Sequence, residues 1–164
     1  MRGIVGALST AALTALITAG CGSSGPSPSR VSACASQVKV GVIPQWARTG
    51  FSDPKPRMPY ELGRAGDIAA LVWGFPLLSP PPRSHNNKIL WVSRVATQPG
   101  SDLRIAAQRM QGTHPIGTPV SRSVMGGPGP SIIDLPASGC WRLTLRWSGR
   151  VDSLDLNYAA NPDA

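Results

Sequence analysis

Acidic and imidazole side chains are scarce in this chain of 164 residues: Asp and Glu together number eight, and the histidines are His85 and His114. A zinc site needs His, Cys or carboxylate ligands clustered at short spacing. Here His85 is followed by Asn86-Asn87 and His114 by Pro115, with no second ligand beside either. The expectation is therefore no metal and no cofactor. Glycoside hydrolysis needs two acids flanking a cleft; Asp152 and Asp155 are close, but they read as solvated surface charges, with Asp155 partnered by Arg142. No Gly-x-Ser-x-Gly elbow occurs. Gly127-Pro128-Gly129-Pro130-Ser131 reads as a turn, because its prolines cannot donate the backbone hydrogens that an oxyanion hole or phosphate cradle uses. Two longer features are also missing. After the first twenty residues no apolar run approaches transmembrane length, and no stretch keeps a 3.6-residue period long enough for a convincing helix, although Leu103 to Met110 can be argued as helix and its charges fit a strand as well.

What is plentiful is arginine, proline and glycine. Lys and Arg number 16 and give a formal net charge of +8, and 13 of the 16 are Arg. The basic residues are spread out, with no five-residue block, so nucleic acid is not an expected partner. The excess charge suits anionic lipid headgroups or acidic envelope polymers.

The N-terminus carries address information. Met1-Arg2-Gly3, an apolar and small-residue run from Ile4 to Ala19, and Gly20-Cys21 follow the plan of a secretory signal peptide. Leu16-Ile17-Thr18-Ala19-Gly20-Cys21 resembles the lipobox of bacterial lipoproteins, with Thr18 in place of the usual aliphatic residue, which makes Cys21 the expected lipidation site. The other reading is an ordinary secreted protein cleaved near Ala19 or Gly20. Gly22 to Ser29 is a polar, Gly/Ser/Pro-rich tether. The expected organisation is a lipoprotein signal peptide at 1–20, a flexible tether at 21–33 and one folded domain at 34–160.

Three cysteines look odd for an exported chain, but with Cys21 lipidated, Cys34 and Cys140 remain as one pair in an oxidising compartment. The competing reading of Cys140 as a catalytic thiol lacks a recognisable histidine partner.

The clearest pattern lies in the C-terminal third. In Trp141-Arg-Leu-Thr-Leu-Arg-Trp147, the tryptophans and leucines share one face and Arg142, Thr144 and Arg146 the other; Leu154, Leu156 and Tyr158 alternate in the same way. Partners across an antiparallel pair must point to the same side. A two-residue loop at Ser148-Gly149 satisfies this by pairing Leu143 with Leu154, Trp141 with Leu156, Thr144 with Ser153 and Arg142 with Asp155. A three-residue loop would set Asp155 against Leu143 and bury a carboxylate without a partner. Cys140 then lies on the face away from Trp141.

Further strands are expected at 38–42, 68–75 (central, buried on both faces), 89–96, 103–108 and 131–135. Between them lie three long irregular segments, 45–67, 76–87 and 111–130. About seven strands, with 17 prolines and 18 glycines for the turns, predict an all-β fold: a single antiparallel β-sandwich, immunoglobulin-like in architecture, with long Pro/Gly-rich loops. Long loops are often functional, so Trp46, Phe51, Tyr60 and His85 are the candidate ligand-loop residues. Their alternative role is to cover sheet ends and edges.

Pro130-Ser-Ile-Ile-Asp-Leu-Pro136 and Gly139-Cys-Trp-Arg-Leu-Thr-Leu145 resemble the C-terminal portion of small uncharacterised secreted lipoproteins of Gram-positive bacteria, in which a proline-bounded turn leads into Gly-Cys-Trp and a final hairpin. The resemblance implies an envelope-anchored β-domain and carries over no catalytic residue. The expectation is thus a lipid-anchored protein on the extracytoplasmic face of the cell membrane, acting as a binding or structural module. Its expected partners are the membrane, through the anchor, and anionic envelope polymers or an envelope protein. The alternatives are a cell-envelope hydrolase and an accessory subunit of an envelope complex.

Overall fold

The structure, a computed structural model, describes Cys34 and residues 38–162. The expected signal peptide, Cys21 and the rest of the tether lie outside the described residues. The described chain is all-β, apart from one 3-10 turn at Gln45–Ala47. Its strands are β1 (Lys39–Val42), β2 (Arg57–Leu62), β3 (Ile68–Val72), β4 (Leu78–Ser79), β5 (Lys88–Ser93), β6 (Leu103–Gln111), β7 (His114–Val124), β8 (Pro130–Ile132), β9 (Gly139–Trp147) and β10 (Arg150–Ala160). They form two five-stranded sheets, the first ordered β1-β2-β3-β5-β8 and the second β4-β10-β9-β6-β7. One core joins them. Ile68, Ala70, Val72, Ile89 and Trp91 from the first sheet share a buried cluster with Leu103, Ile105, Leu143, Leu145, Leu154 and Leu156 from the second.

The C-terminal hairpin pairs as its alternation requires. Leu143 faces Leu154, Trp141 faces Leu156, Thr144 faces Ser153 and Arg142 faces Asp155. Its loop is Ser148-Gly149, and both residues have positive φ, 45° and 72°. That is the type I′ geometry, whose twist matches the strands it joins. The serine is held in this conformation from outside the hairpin: its amide donates to Ser101 Oγ at 2.7 Å, and its hydroxyl accepts from the Gln98 amide at 2.9 Å.

This register also sends Asp152 inward, opposite Leu145. The expectation that Asp152 and Asp155 are solvated charges is corrected here: each is only 4% exposed. Burying a carboxylate is costly unless its oxygens are satisfied. Asp152 accepts hydrogen bonds from the amides of Ala65 (2.8 Å), Asp67 (3.1 Å) and Ser153 (2.7 Å). The first two belong to the β2–β3 turn in the opposite sheet. Gly63 leaves the space, because any side chain there would overlap the Asp152 carboxylate. Just beyond, the Arg64 amide donates to Ser153 O at 2.8 Å, and the Arg64 guanidinium reaches Asp155 Oδ2 at 2.9 Å. Asp155 also takes the Arg142 guanidinium, at 3.0 Å. This hydrogen bond, more than the charge attraction beside it, raises the Arg142 pKa. The β2–β3 turn therefore clasps β10 and ties one sheet to the other.

Sequence periodicity understated the strands. About seven were expected and ten are present among the described residues; each of the three expected long loops contains one of the additional strands, β2, β4 and β7. β7 carries Pro115 and Pro119 and lies at the edge of its sheet, where a missing N–H breaks no inner ladder. β4 is two residues long and pairs in parallel with β10, so the second sheet is mixed rather than purely antiparallel. Trp73 and Phe75, expected inside a central strand, lie beyond the end of β3 and are 54% and 49% exposed. The rest of that expectation stands: β3 is buried throughout and flanked by β2 and β5.

Cys34 and Cys140 form a disulfide with Cα atoms 5.0 Å apart and a sequence separation of 106. Cys140 lies on the outer face of the second sheet, away from Trp141. Closing so long a loop is worth about 4 to 5 kcal/mol in the chain-entropy picture. Non-reducing thiol mapping should recover this pair, and Cys34→Ser with Cys140→Ser should lower unfolding free energy by about that amount. A separate test addresses the clasp. Asp152→Ala strands two turn amides next to a void and should cost about 3 kcal/mol in denaturant unfolding, given that hydrogen bonds to a charged group are worth about 1.5 to 3 kcal/mol each.

The far end of the core is fastened by Tyr158, whose hydroxyl donates to Ile133 O at 2.7 Å. Burial, reinforced by the nearby Asp134 carboxylate, pushes its ionisation far above the ordinary phenol value. An acid whose folded pKa is raised keeps its proton while the unfolded chain loses its own, so stability is full below the unfolded pKa, near 10, and falls as pH rises past it. Tyr158→Phe should lower stability at neutral pH by about 1 to 2 kcal/mol, through the orphaned carbonyl. It should also flatten the alkaline limb of a stability-versus-pH curve.

Candidate functional site

Sheet pairing brings together three strands whose outward residues are polar. β6 pairs with β9 so that Arg104 stands directly opposite Arg146, Ala106 opposite Thr144 and Gln108 opposite Arg142. On the other side of β6, β7 places Ser123 opposite Arg104 and Ser121 opposite Ala106. The outer face of the second sheet therefore carries a row of arginines, each positioned by plain strand alternation and flanked by hydroxyls. Small side chains at 106, 121 and 123 keep the surface low between the arginines, forming a depression of about 400 Å³. A second hollow of about 410 Å³ adjoins it toward the Ser148-Gly149 turn, where Arg150 joins Arg104 and Arg146.

The charges in this row differ in how they are matched. Arg142 is ion-paired to Asp155, a carboxylate it shares with Arg64. Arg104 and Arg146 have no acidic partner within ion-pair distance among the described residues. Like charges directly opposite one another in a sheet are destabilising. Asp102 is nearby in the hollow but accepts the Gly126 amide at 2.9 Å. The arrangement is thus a pair of arginines on directly opposed positions of neighbouring strands, with serine and threonine hydroxyls at its margin. It can bind an anionic group such as a phosphodiester or carboxylate by charge-assisted, forked hydrogen bonds. It offers no nucleophile activated by a base.

The candidate ligand-loop residues lie elsewhere. Trp46, Phe51 and Tyr60 are half-buried against Ile43, Ala47, Ala69 and Leu71 on the outer face of the first sheet, where they form a second apolar cluster. Tyr60 is itself a β2 residue paired with Leu71. His85 is half-buried in the connection between β4 and β5, with its Nε2 enclosed and without a hydrogen-bond partner. His114 is exposed at the start of β7, opposite Gln111. Neither imidazole has a side-chain partner, and no group of three or more His, Cys, Asp or Glu is close enough to share a metal among the described residues. The structure does not gather the four candidates into one pocket.

Arg104 and Arg146 were not singled out by sequence. Their alternation with buried residues marks each as outward-facing, but their meeting depends on the β6–β9 register, which no local signal specifies. The chain matches no protein family, no curated protein and no solved structure.

Proposed function

We infer that this chain is an exported, lipid-anchored binding module of the cell envelope that holds an anionic envelope polymer on its arginine face. The observation that carries the reading is the directly opposed Arg104–Arg146 pair, neither member of which has an acidic partner within ion-pair distance among the described residues. Such a pair costs stability in the free protein, and an anionic ligand relieves that cost on binding. The scaffold suits the task, because arginines on paired strands are held in place rather than carried on loops. In architecture we read the two sheets as a β-sandwich, immunoglobulin-like only in that sheet-on-sheet sense.

Localisation supports the same reading. The lipobox-like segment ending at Cys21 favours attachment to the extracytoplasmic face of the cell membrane, as does the resemblance to small secreted lipoproteins of Gram-positive bacteria. The Cys34–Cys140 disulfide is in keeping with an oxidising compartment. Polymers rich in phosphodiesters or carboxylates are the anionic partners such a protein would meet there.

The anchor and the ligand are tested separately. In cells, labelled fatty acid should enter the wild type and not Cys21→Ala; equal labelling of both would refute lipidation at that residue. For the ligand, calorimetric titration of the purified mature protein with a poly(glycerol phosphate) probe should show binding that weakens steeply with added salt. The Arg104→Gln, Arg146→Gln double variant should bind at least tenfold more weakly, since each lost charge-assisted contact is worth about 1.5 to 3 kcal/mol. Unchanged affinity in that variant would sink the reading.

A further inference from the structure

Strand alternation turns one arginine of the second sheet inward. On β6, Leu103, Ile105 and Ala107 point into the core, while Arg104 and Ala106 point out. Arg109 continues the inward set. On β9 it stands directly opposite Trp141, a core residue, and partners across an antiparallel pair share a face. Its other neighbour, β7, is irregular at this point. From Ala107 to Arg109 β6 advances two residues, while the partner positions on β7 run four, from Val120 to Ile116. The surplus residues of β7 form a bulge that includes Gly117, with φ of 67°. The Gln108 side chain pins the bulge by donating from Nε2 to Ile116 O at 2.7 Å. Bulges at sheet edges re-aim side chains and end regular pairing, and they are frequent beside functional sites.

At the bulge lies a cavity of about 420 Å³, walled by Ile116, Pro119, Pro136, Ala137 and Trp141, with Arg109 in its lining. Trp141 Nε1 donates to Ala137 O at 2.9 Å, so the polar atom of the indole is already used and its ring offers apolar surface. Arg109 is half-buried and makes no ion pair and no side-chain hydrogen bond among the described residues. Gly139 keeps room for it, since a Cβ there would come within 3.3 Å of Arg109 Nε. A guanidinium partly withdrawn from water and set against hydrocarbon is costly without a counter-anion.

We propose that this cavity binds a small amphipathic carboxylate, with the carboxylate forked onto Arg109 and its hydrocarbon chain against Trp141 and the two prolines. The volume falls within the roughly 300 to 1,000 Å³ of small-molecule pockets, and a single charged group among apolar walls is their usual composition. The planar guanidinium matches a carboxylate with two parallel hydrogen bonds. A multiply charged polymer suits the cavity poorly, because it offers one cation and mostly apolar walls. The site is separate from the arginine face. Arg104 and Arg146 are exposed on the outer surface of the same sheet, and the hollows beside them share no lining residue with this cavity.

Calorimetric titration of the purified mature protein with octanoate, octanol and octylamine separates the charge from the hydrocarbon. Octanoate is expected to bind most tightly and octylamine most weakly. Arg109→Gln should lower octanoate affinity by roughly tenfold or more, the value of a lost charge-assisted contact, and leave octanol affinity unchanged. Arg109→Lys should restore part of the preference for octanoate. The Arg104→Gln, Arg146→Gln variant should bind octanoate as the wild type does. In NMR spectra of the indole N–H groups, octanoate should move the Trp141 signal and leave those of Trp46 and Trp73, which belong to the first sheet's side of the molecule, in place. Equal octanoate affinity in wild type and Arg109→Gln would overturn the proposal. So would octanoate binding that disappears only in the Arg104→Gln, Arg146→Gln variant, because the anion would then belong to the outer face. A wild type that takes octanol as tightly as octanoate would overturn it as well, since the cation would then play no part in binding.

Discussion

The two-residue turn at Ser148-Gly149 decides the register of β9 on β10, and much of the molecule follows from that register. Counting from it, Leu143, Leu145, Leu154 and Leu156 enter the core, while Arg142 and Asp155 meet on the outside. It also drives Asp152 into the interior, a placement that is affordable only because the opposite sheet offers amides to receive it. The β2–β3 turn does so, and Gly63 leaves the carboxylate room. A buried acid with matched donors cannot slide, because any shift strands both the charge and the amides. Hydrophobic area holds the two sheets together without specifying their alignment; the Asp152 clasp and the Trp147 and Tyr158 hydrogen bonds supply the alignment.

That alignment gives the protein two unlike ends. The arginines lie on strands beside the β9–β10 turn, and the disulfide and exposed aromatics lie at the opposite pole. The disulfide has two effects in this arrangement. It limits the unfolded chain, and it ties Cys34 to the outer face of the second sheet at β9. Cys140 reads best as structural, since it is already bonded and its outward neighbours are Arg142 and Thr144 rather than a base.

Legibility in the sequence varied by element. The final hairpin was readable to the residue because strict alternation on both sides of a short loop leaves one register in which no carboxylate is stranded. β3 was readable as a central strand because a continuous apolar run bounded by polar residues suits burial on both faces. β2 and β7 were missed because Pro59, Pro115 and Pro119 look like breakers. β7 tolerates its prolines by lying at an edge, a fact about neighbours rather than about the segment. Asp152 was misread for a related reason: its alternation places it inward, but the donors that make burial tolerable come from residues 65 and 67, 87 and 85 positions away.

By itself the sequence determined the all-β class, the Ser148-Gly149 hairpin and its pairs, the Cys34–Cys140 partnership and the outward direction of Arg104, Arg142 and Arg146. These are properties of local alternation, turn chemistry and cysteine count, which act over a few residues or by simple elimination. Only the tertiary structure decided that Arg104 faces Arg146, that Asp152 is buried and satisfied, and that Trp46, Phe51 and Tyr60 cover a sheet instead of forming a pocket. Those outcomes depend on which strands become neighbours and in what register. Long-range packing and hydrogen bonding choose among the alternatives, and no single segment encodes that choice.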